Sequence, residues 1–223
     1  MSLHDESVAL RGQVQQMLGE KMGVVTKSID TLKASGIAER AAHTGQLAPD
    51  FTLPDAYGKQ VSLSSLLQEG PVVLCFYRGS WCPFCNLELH AYQRVLPRIN
   101  SLGATLVAIS PEKPDYAEAM AVKQKLSFPV LSDLGNKVAR AYGLVFAMTP
   151  EMKDVSHGTF NVDLAAHNGD NSGELPIPAT FVIDTQRTIR YAHVDPDFMT
   201  GRANPEDALA ALRSINEPQL ASK

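Results

Sequence analysis

Cysteine is scarce in this chain, three in 223 residues. Three thiols do not make a disulfide framework, which excludes a stapled secreted scaffold and points to a reducing compartment, the cytoplasm. The N-terminal stretch has no basic segment followed by an apolar core, so it does not read as a secretory signal. Nor is there an apolar run of the ~18 residues that a membrane helix needs, and no membrane association is expected. Positive charge is not in excess: the formal net charge is -4 and the pI about 5.9, which leaves no footprint for nucleic acid. The six histidines are scattered without ligand spacing.

What is present is an ordinary globular composition, 44% hydrophobic and 20% charged, enough for one domain with additions. The chain is organised around residues 72–85. Residues 72–77, Val-Val-Leu-Cys-Phe-Tyr, are rich in β-branched and aromatic side chains and uncharged, as a strand buried on both faces should be. Arg78-Gly79-Ser80 breaks the run. From Pro83 onward Leu87, Ala91, Val95 and Ile99 recur on one helical face, and a proline is tolerated in a first turn whose amides have no intrahelical partner. Cys82-Pro83-Phe84-Cys85 therefore opens a helix that follows a strand.

That placement has chemical consequences. The unpaired amides and partial positive charge of a helix N-terminus favour thiolate over thiol. Residues i and i+3 share a face, so one sulfur can attack an electrophile and the other can release the product by closing a disulfide. The other common use of the spacing is half of a zinc site. That needs four ligands, and the chain has one such pair and a single further cysteine. Cys75, in mid-strand, reads as a small buried hydrophobe. His90 lies two helical turns beyond Cys82 and reads as structural or solvated.

Three parts are expected: a helical extension over 1–43, a domain over 44–217, and a short tail, 218–223, of which 219–223 should fray. The extension carries an apolar stripe at helical period, interrupted by Gly12, Gly19, Gly23 and Gly36, which either covers the core or forms a homodimer. Short strands at 50–53 and 60–63 flank a turn, and Ser64 caps a helix ending near Gly70. Pro97 should kink or end the active-site helix. Strands at 104–110 and 128–132 alternate with helices at 115–126 and 133–142, which implies parallel pairing. Residues 146–176 read as a long irregular loop bordering the cysteine pocket. Strands at 177–184 and 188–194 form an antiparallel hairpin, and a helix from about 204 closes the domain, with Ala208, Leu209, Leu212 and Ile215 inward.

Over about residues 44–215 the sequence resembles the thioredoxin-like superfamily, and within it the peroxiredoxin (alkyl hydroperoxide reductase/thiol-specific antioxidant) branch. The resemblance is carried by residues 47–53 (Leu-Ala-Pro-Asp-Phe-Thr-Leu), 130–133 with 138–143, and 181–184 (Phe-Val-Ile-Asp). It implies an α/β thioredoxin fold, a central mixed β-sheet flanked by helices. Two patterns compete at the cysteines. Read as a thioredoxin, Trp81-Cys82-Pro83-Phe84-Cys85 makes Cys82 the exposed nucleophile and Cys85 the resolving thiol, and Pro178 matches the cis proline that faces the disulfide. Read as a peroxiredoxin, Cys85 takes the peroxidatic position, Cys82 replaces a threonine, Arg78 a proline, and Glu88 matches the family glutamate. The family arginine before the late strand is replaced by Pro178, and Arg78 is the substitute cation. Trp81 is read as a lid over the sulfurs and Tyr77 as touching the pocket.

The resemblance implies a thiol-dependent oxidoreductase that reduces peroxides through a Cys82/Cys85 dithiol cycle, recycled by a thioredoxin or glutathione system, with no metal, flavin or nucleotide. The alternatives are a protein disulfide reductase with little peroxidase activity, and a non-enzymatic redox-sensing or metal-binding domain. Cys82, nearest the free amides, is expected to be the more exposed thiol and the one with the lower pKa.

Overall fold

Hydrophobic period and capping residues set the element order, seen in a computed structural model that describes residues 2–216. The extension forms α1 (Leu3–Leu18), α2 (Met22–Ala34) and the short α3 (Ile37–Arg40). Ser2 and Asp5 build a reciprocal cap at the start of α1, and Gly19 at φ 53 ends it. There follow β1 (Thr52–Pro54), β2 (Gln60–Ser62), α4 (Leu63–Glu69), β3 (Val72–Phe76), α5 (Pro83–Ser101), β4 (Thr105–Ser110), α6 (Pro114–Lys123), β5 (Val130–Ser132) and α7 (Lys137–Ala141). The last third adds β6 (Val145–Ala147), α8 (Pro150–Phe160), α9 (Leu164–Asn168), β7 (Glu174–Pro176), β8 (Ala179–Ile183), β9 (Ile189–Val194) and α10 (Pro205–Asn216). The fraying expected of 219–223, and the tail drawn at 218–223, lie outside the described residues.

The central sheet has the order β5-β4-β3-β8-β9. β3, β4 and β5 run parallel; β8 is antiparallel to β3, and β9 to β8. Because side chains alternate along a strand, the uncharged run of β3 splits between two cores. Val73, Cys75 and Tyr77 join one with α5, α10 and the extension. Val72, Leu74 and Phe76 join the other with α4, α7 and Phe181. Helices on both faces of a mixed sheet make the three-layer α/β arrangement expected from the sequence. The extension covers the core: Val14, Leu18, Val25, Ile29 and Leu32 are buried in the same cluster as the cysteines.

Several local expectations are corrected. Pro97 neither ends nor breaks α5, which continues to Ser101. It sits on the solvent side while Leu96 and Ile99 are buried, so packing on either side holds the helix. Ser62 rather than Ser64 caps α4, its hydroxyl accepting from the Ser65 amide at 3.1 Å. The stretch 146–176 is not an irregular loop. Thr149-Pro150 is a helix start, cap followed by proline at the first position, and Asp163 caps the next helix by accepting from the Ala166 amide at 2.9 Å. The predicted cis proline is absent: Pro178 is trans, and no cis peptide bond occurs among the described residues.

Candidate active site

The site lies where the parallel strands end, the edge at which α/β sheets usually bind ligands. Tyr77 extends β3 by one hydrogen bond, donating to the Ile109 carbonyl at 2.9 Å, and the chain then turns through 78–82. Gly79 at φ 153 permits the turn; a Cβ there would run into the Trp81 ring and crowd the Glu112 carboxylate. The turn is pinned from β4. Glu112, fully buried, accepts from the Ser80 amide and from the Ser80 hydroxyl, both at 2.7 Å. His167 Nδ1 of α9 meets the same carboxylate at 2.7 Å, with its ring stacked 4.0 Å from Tyr116. Asn86 Nδ2 closes the turn from inside α5, donating to the Ser80 carbonyl at 2.9 Å.

Cys82 is the N-cap of α5 and Pro83 its first residue, so Cys85 stands one turn in. Both thiols are free and buried, at 2% and 0% exposure. The expectation that Cys82 is an exposed nucleophile is thus corrected: α1, α2 and α8 cover the helix start, which local sequence does not reveal. Two guanidiniums flank the sulfurs. Arg202 Nη1 and Nη2 each lie 3.6 Å from Cys85 Sγ, and Nη2 is 4.0 Å from Cys82 Sγ. Arg202 is completely buried, donates to Glu88 Oε2 at 2.8 Å, and is anchored by the Phe198 carbonyl. Arg78, 4% exposed, lies over Phe198 at 4.1 Å and Trp81 at 4.9 Å.

The electrostatics follow from this arrangement. Burial alone would push the Cys82 thiol up, but the neighbouring Cys85 thiol and the two guanidiniums outweigh it and bring Cys82 from an ordinary 9.0 to about 5. Burial and the adjacent Cys82 charge hold Cys85 protonated, against the pull of Arg202 and Arg78. The pair therefore carries one negative charge across the physiological range. Burial raises Glu88, with Arg202 opposing. Burial also raises Cys75, whose sulfur accepts from Thr180 Oγ1 at 3.5 Å, so it stays an uncharged packing group.

A cavity of about 60 Å³ opens on Cys82. Its walls are mostly apolar, with Leu18 and Val25 of the extension, Met152 and Phe160 of α8, and Phe198 beside Arg78 and Trp81. Cys85 does not line it. The Arg78 Nε and Trp81 Nε1 donors find no protein partner among the described residues.

The sequence profile of the AhpC/TSA family matches residues 44–192, two thirds of the chain. The chain belongs to the AhpC/TSA family. A putative peroxiredoxin of Mycobacterium tuberculosis is 32% identical over 172 residues, covering 77% of this chain and 97% of the relative. A chloroplastic peroxiredoxin Q of Triticum aestivum is 30% identical over 160 residues, covering 72% and 63%. The chain spans between 46% and 64% of the length of the plant relatives it matches. The crystal structure of peroxidoxin BcpB from Mycobacterium tuberculosis superposes with a TM-score of 0.63 at 28% identity, covering 78% of this chain and 99% of that one. This member of the AhpC/TSA family has the thioredoxin fold of those structures.

Of the residues singled out in the sequence, the structure gathers Cys82, Arg78 and Trp81 around one cavity, with Cys85 and Glu88 held next to Cys82 through Arg202, and Tyr77 buried. Pro178 is buried at the start of β8, one step beyond the Phe76–Ala179 pair and so level with Tyr77. Arg78 is no solvated surface residue. His90 is structural, paired with Gln124. The sequence reading missed Arg202 and Glu112. Arg202 follows a run of turn formers, 195–201, that ties itself into a knot through Asp197, whose carboxylate accepts from the Met199 and Thr200 amides at 3.1 Å. An arginine after such a run is ordinarily solvated, and nothing local shows that it points inward.

Proposed function

We propose that this protein is a thiol-dependent peroxidase in which Cys82 attacks and Cys85 resolves. The observation that carries the reading is a pair of buried free thiols flanked by two buried guanidiniums, with Cys82 opening on a small cavity. The Cys82 thiolate attacks the distal oxygen of a hydroperoxide, the O–O bond breaks, and the departing alkoxide, stabilised by the guanidiniums, takes up a proton to leave as an alcohol. Cys82 is left as a sulfenic acid. The Cys85 thiol then attacks that sulfur, forming the disulfide and releasing water. Two electrons from an external dithiol of thioredoxin or glutathione type restore the pair. Such a cycle needs a reducing compartment, which supports the cytoplasmic placement expected from the sequence.

Access supports Cys82 as the attacking sulfur, since it lines the cavity and Cys85 lies behind it. The competing reading, reduction of a protein disulfide, needs Cys82, 2% exposed, to be reached directly in the reduced fold, whereas a small peroxide enters by the cavity and the helix start has to open only afterwards, when the external dithiol reduces the pair. The test treats Cys82→Ser and Cys85→Ser separately with one equivalent of peroxide and traps sulfenic acid. Label on Cys82 in the Cys85→Ser variant supports the assignment. Label confined to Cys85 in the Cys82→Ser variant reverses the two roles, and an absence of label together with no peroxide consumption by the unaltered protein ends the peroxidase reading.

A further inference from the structure

The helical extension lies wholly outside the segment that matches the family, residues 44–192, yet it supplies part of the cavity wall above Cys82. Val14, Leu18 and Val25 stand at the extension's inner face, 7%, 5% and 5% exposed, and all three line the cavity. Two side-chain ties fix the extension there. Arg94 of α5 reaches Glu6 at 3.4 Å, and Lys21 between α1 and α2 donates to Thr159 Oγ1 of α8 at 3.3 Å. Opposite, Met152 and Phe160 of α8 complete the wall, and Phe160 is still 36% exposed, which marks the rim.

Arg78 and Trp81 line the cavity together with Cys82, the Arg78 guanidinium lying over the Trp81 and Phe198 rings. Ser156 of α8 apart, the remaining walls offer hydrocarbon and thioether. Its volume of about 60 Å³ is at least four times the ~10–15 Å³ that one water needs on the same measure, so it holds a peroxide group together with a compact apolar substituent.

We infer that the extension forms a specificity subsite, in which Val14, Leu18 and Val25 hold the apolar substituent of a small organic hydroperoxide whose oxygens face Cys82 and Arg78. The inference rests on the peroxidase reading above. Hydrogen peroxide has nothing to place against the wall, whereas each methylene buried there favours an organic hydroperoxide by about fourfold. The chemistry is the same for both substrates; the extension changes only how well each is held.

The test compares kcat/KM for tert-butyl hydroperoxide and for hydrogen peroxide in the full chain and in Val25→Thr and Val14→Thr, which keep side-chain volume and add a hydroxyl. The ratio of the two constants should fall about tenfold in either variant, through KM. Leu18→Ala, which widens the wall, should shift the ratio toward cumene hydroperoxide, a bulkier probe. Thermal melting confirms that each variant folds, and the pair of threonine variants covers the failure of any one. A ratio that stays within twofold of the unaltered protein in every folded variant overturns the subsite and leaves the peroxidase reading standing. If the unaltered protein consumes no hydroperoxide, both fall.

Discussion

Replacing Arg202 by Met would remove a buried charge and keep most of the side chain's length. The guanidinium touches Cys85 through both terminal nitrogens at 3.6 Å, reaches Cys82 at 4.0 Å and holds Glu88 at 2.8 Å. A hydrogen bond to a charged group contributes about 1.5–3 kcal/mol, and these sulfur contacts are long, so the loss should be about 1.5 kcal/mol. That is about one unit in the titration of the thiolate, upward, with Arg78 still in place to prevent a larger change. Stability should suffer more. Breaking a buried ion pair by removing one partner costs about 3–5 kcal/mol, although Glu88, already pushed up by burial, can escape part of it by taking a proton. Arg202→Met/Glu88→Gln should therefore recover most of the stability and keep the raised thiolate midpoint. The assay follows ultraviolet thiolate absorbance and iodoacetamide reactivity of the reduced proteins against pH. A midpoint unmoved in both variants would show that Arg202 only braces Glu88, and the electrostatic account of the site would be wrong.

Three further outcomes follow from the same geometry. Cys82 is lowered from 9.0 to about 5 in the fold, so between those values the unfolded thiol binds a proton that the folded one has released, and reduced protein should gain stability as pH rises. Above 9.0 the sign reverses, because Cys85 is held protonated in the fold. The difference in melting temperature between unaltered protein and Cys82→Ser/Cys85→Ser should trace that rise and fall; parallel profiles would refute it. Cys75→Ala should cost about 1 kcal/mol, a drop of about 2–4 °C in melting temperature, with turnover within twofold; lost activity at unchanged melting would make Cys75 a resolving thiol. Glu112→Gln keeps an acceptor for Ser80 but loses the charge that strengthens both bonds, so Cys82 alkylation should slow about tenfold. Slower melting-independent chemistry is the mark of a positioning role, and a lower melting temperature with unchanged alkylation would show bracing alone.

Much of this was legible along the chain because it is decided by near neighbours. The uncharged run at 72–77 could only be a strand buried on both faces, and Cys82-Pro83 could only open a helix, since proline fits the first turn and little else of one. Strand and helix alternation fixed the parallel half of the sheet, and the late apolar pair fixed its antiparallel edge. Where a local cue had two meanings the reading went astray. Thr149-Pro150 marks a turn or a helix start, and only packing of Met152 and Val155 against the core selects the helix. Pro97 ends a helix when nothing holds it, and here Leu96 and Ile99 do.

The sequence by itself determined that two thiols share the first turn of a helix at a strand's end, because three residues' separation and a proline suffice to place them. Only the tertiary structure decided which charges surround those thiols and what can reach them. Arg202 approaches from a turn beyond the last strand, Glu112 from the turn that follows the neighbouring strand, and part of the cavity wall from two helices that end before the family segment begins. Coulomb and hydrogen-bond terms depend on distance in space, and the folded sheet brings together groups whose separation along the chain carries no trace of it.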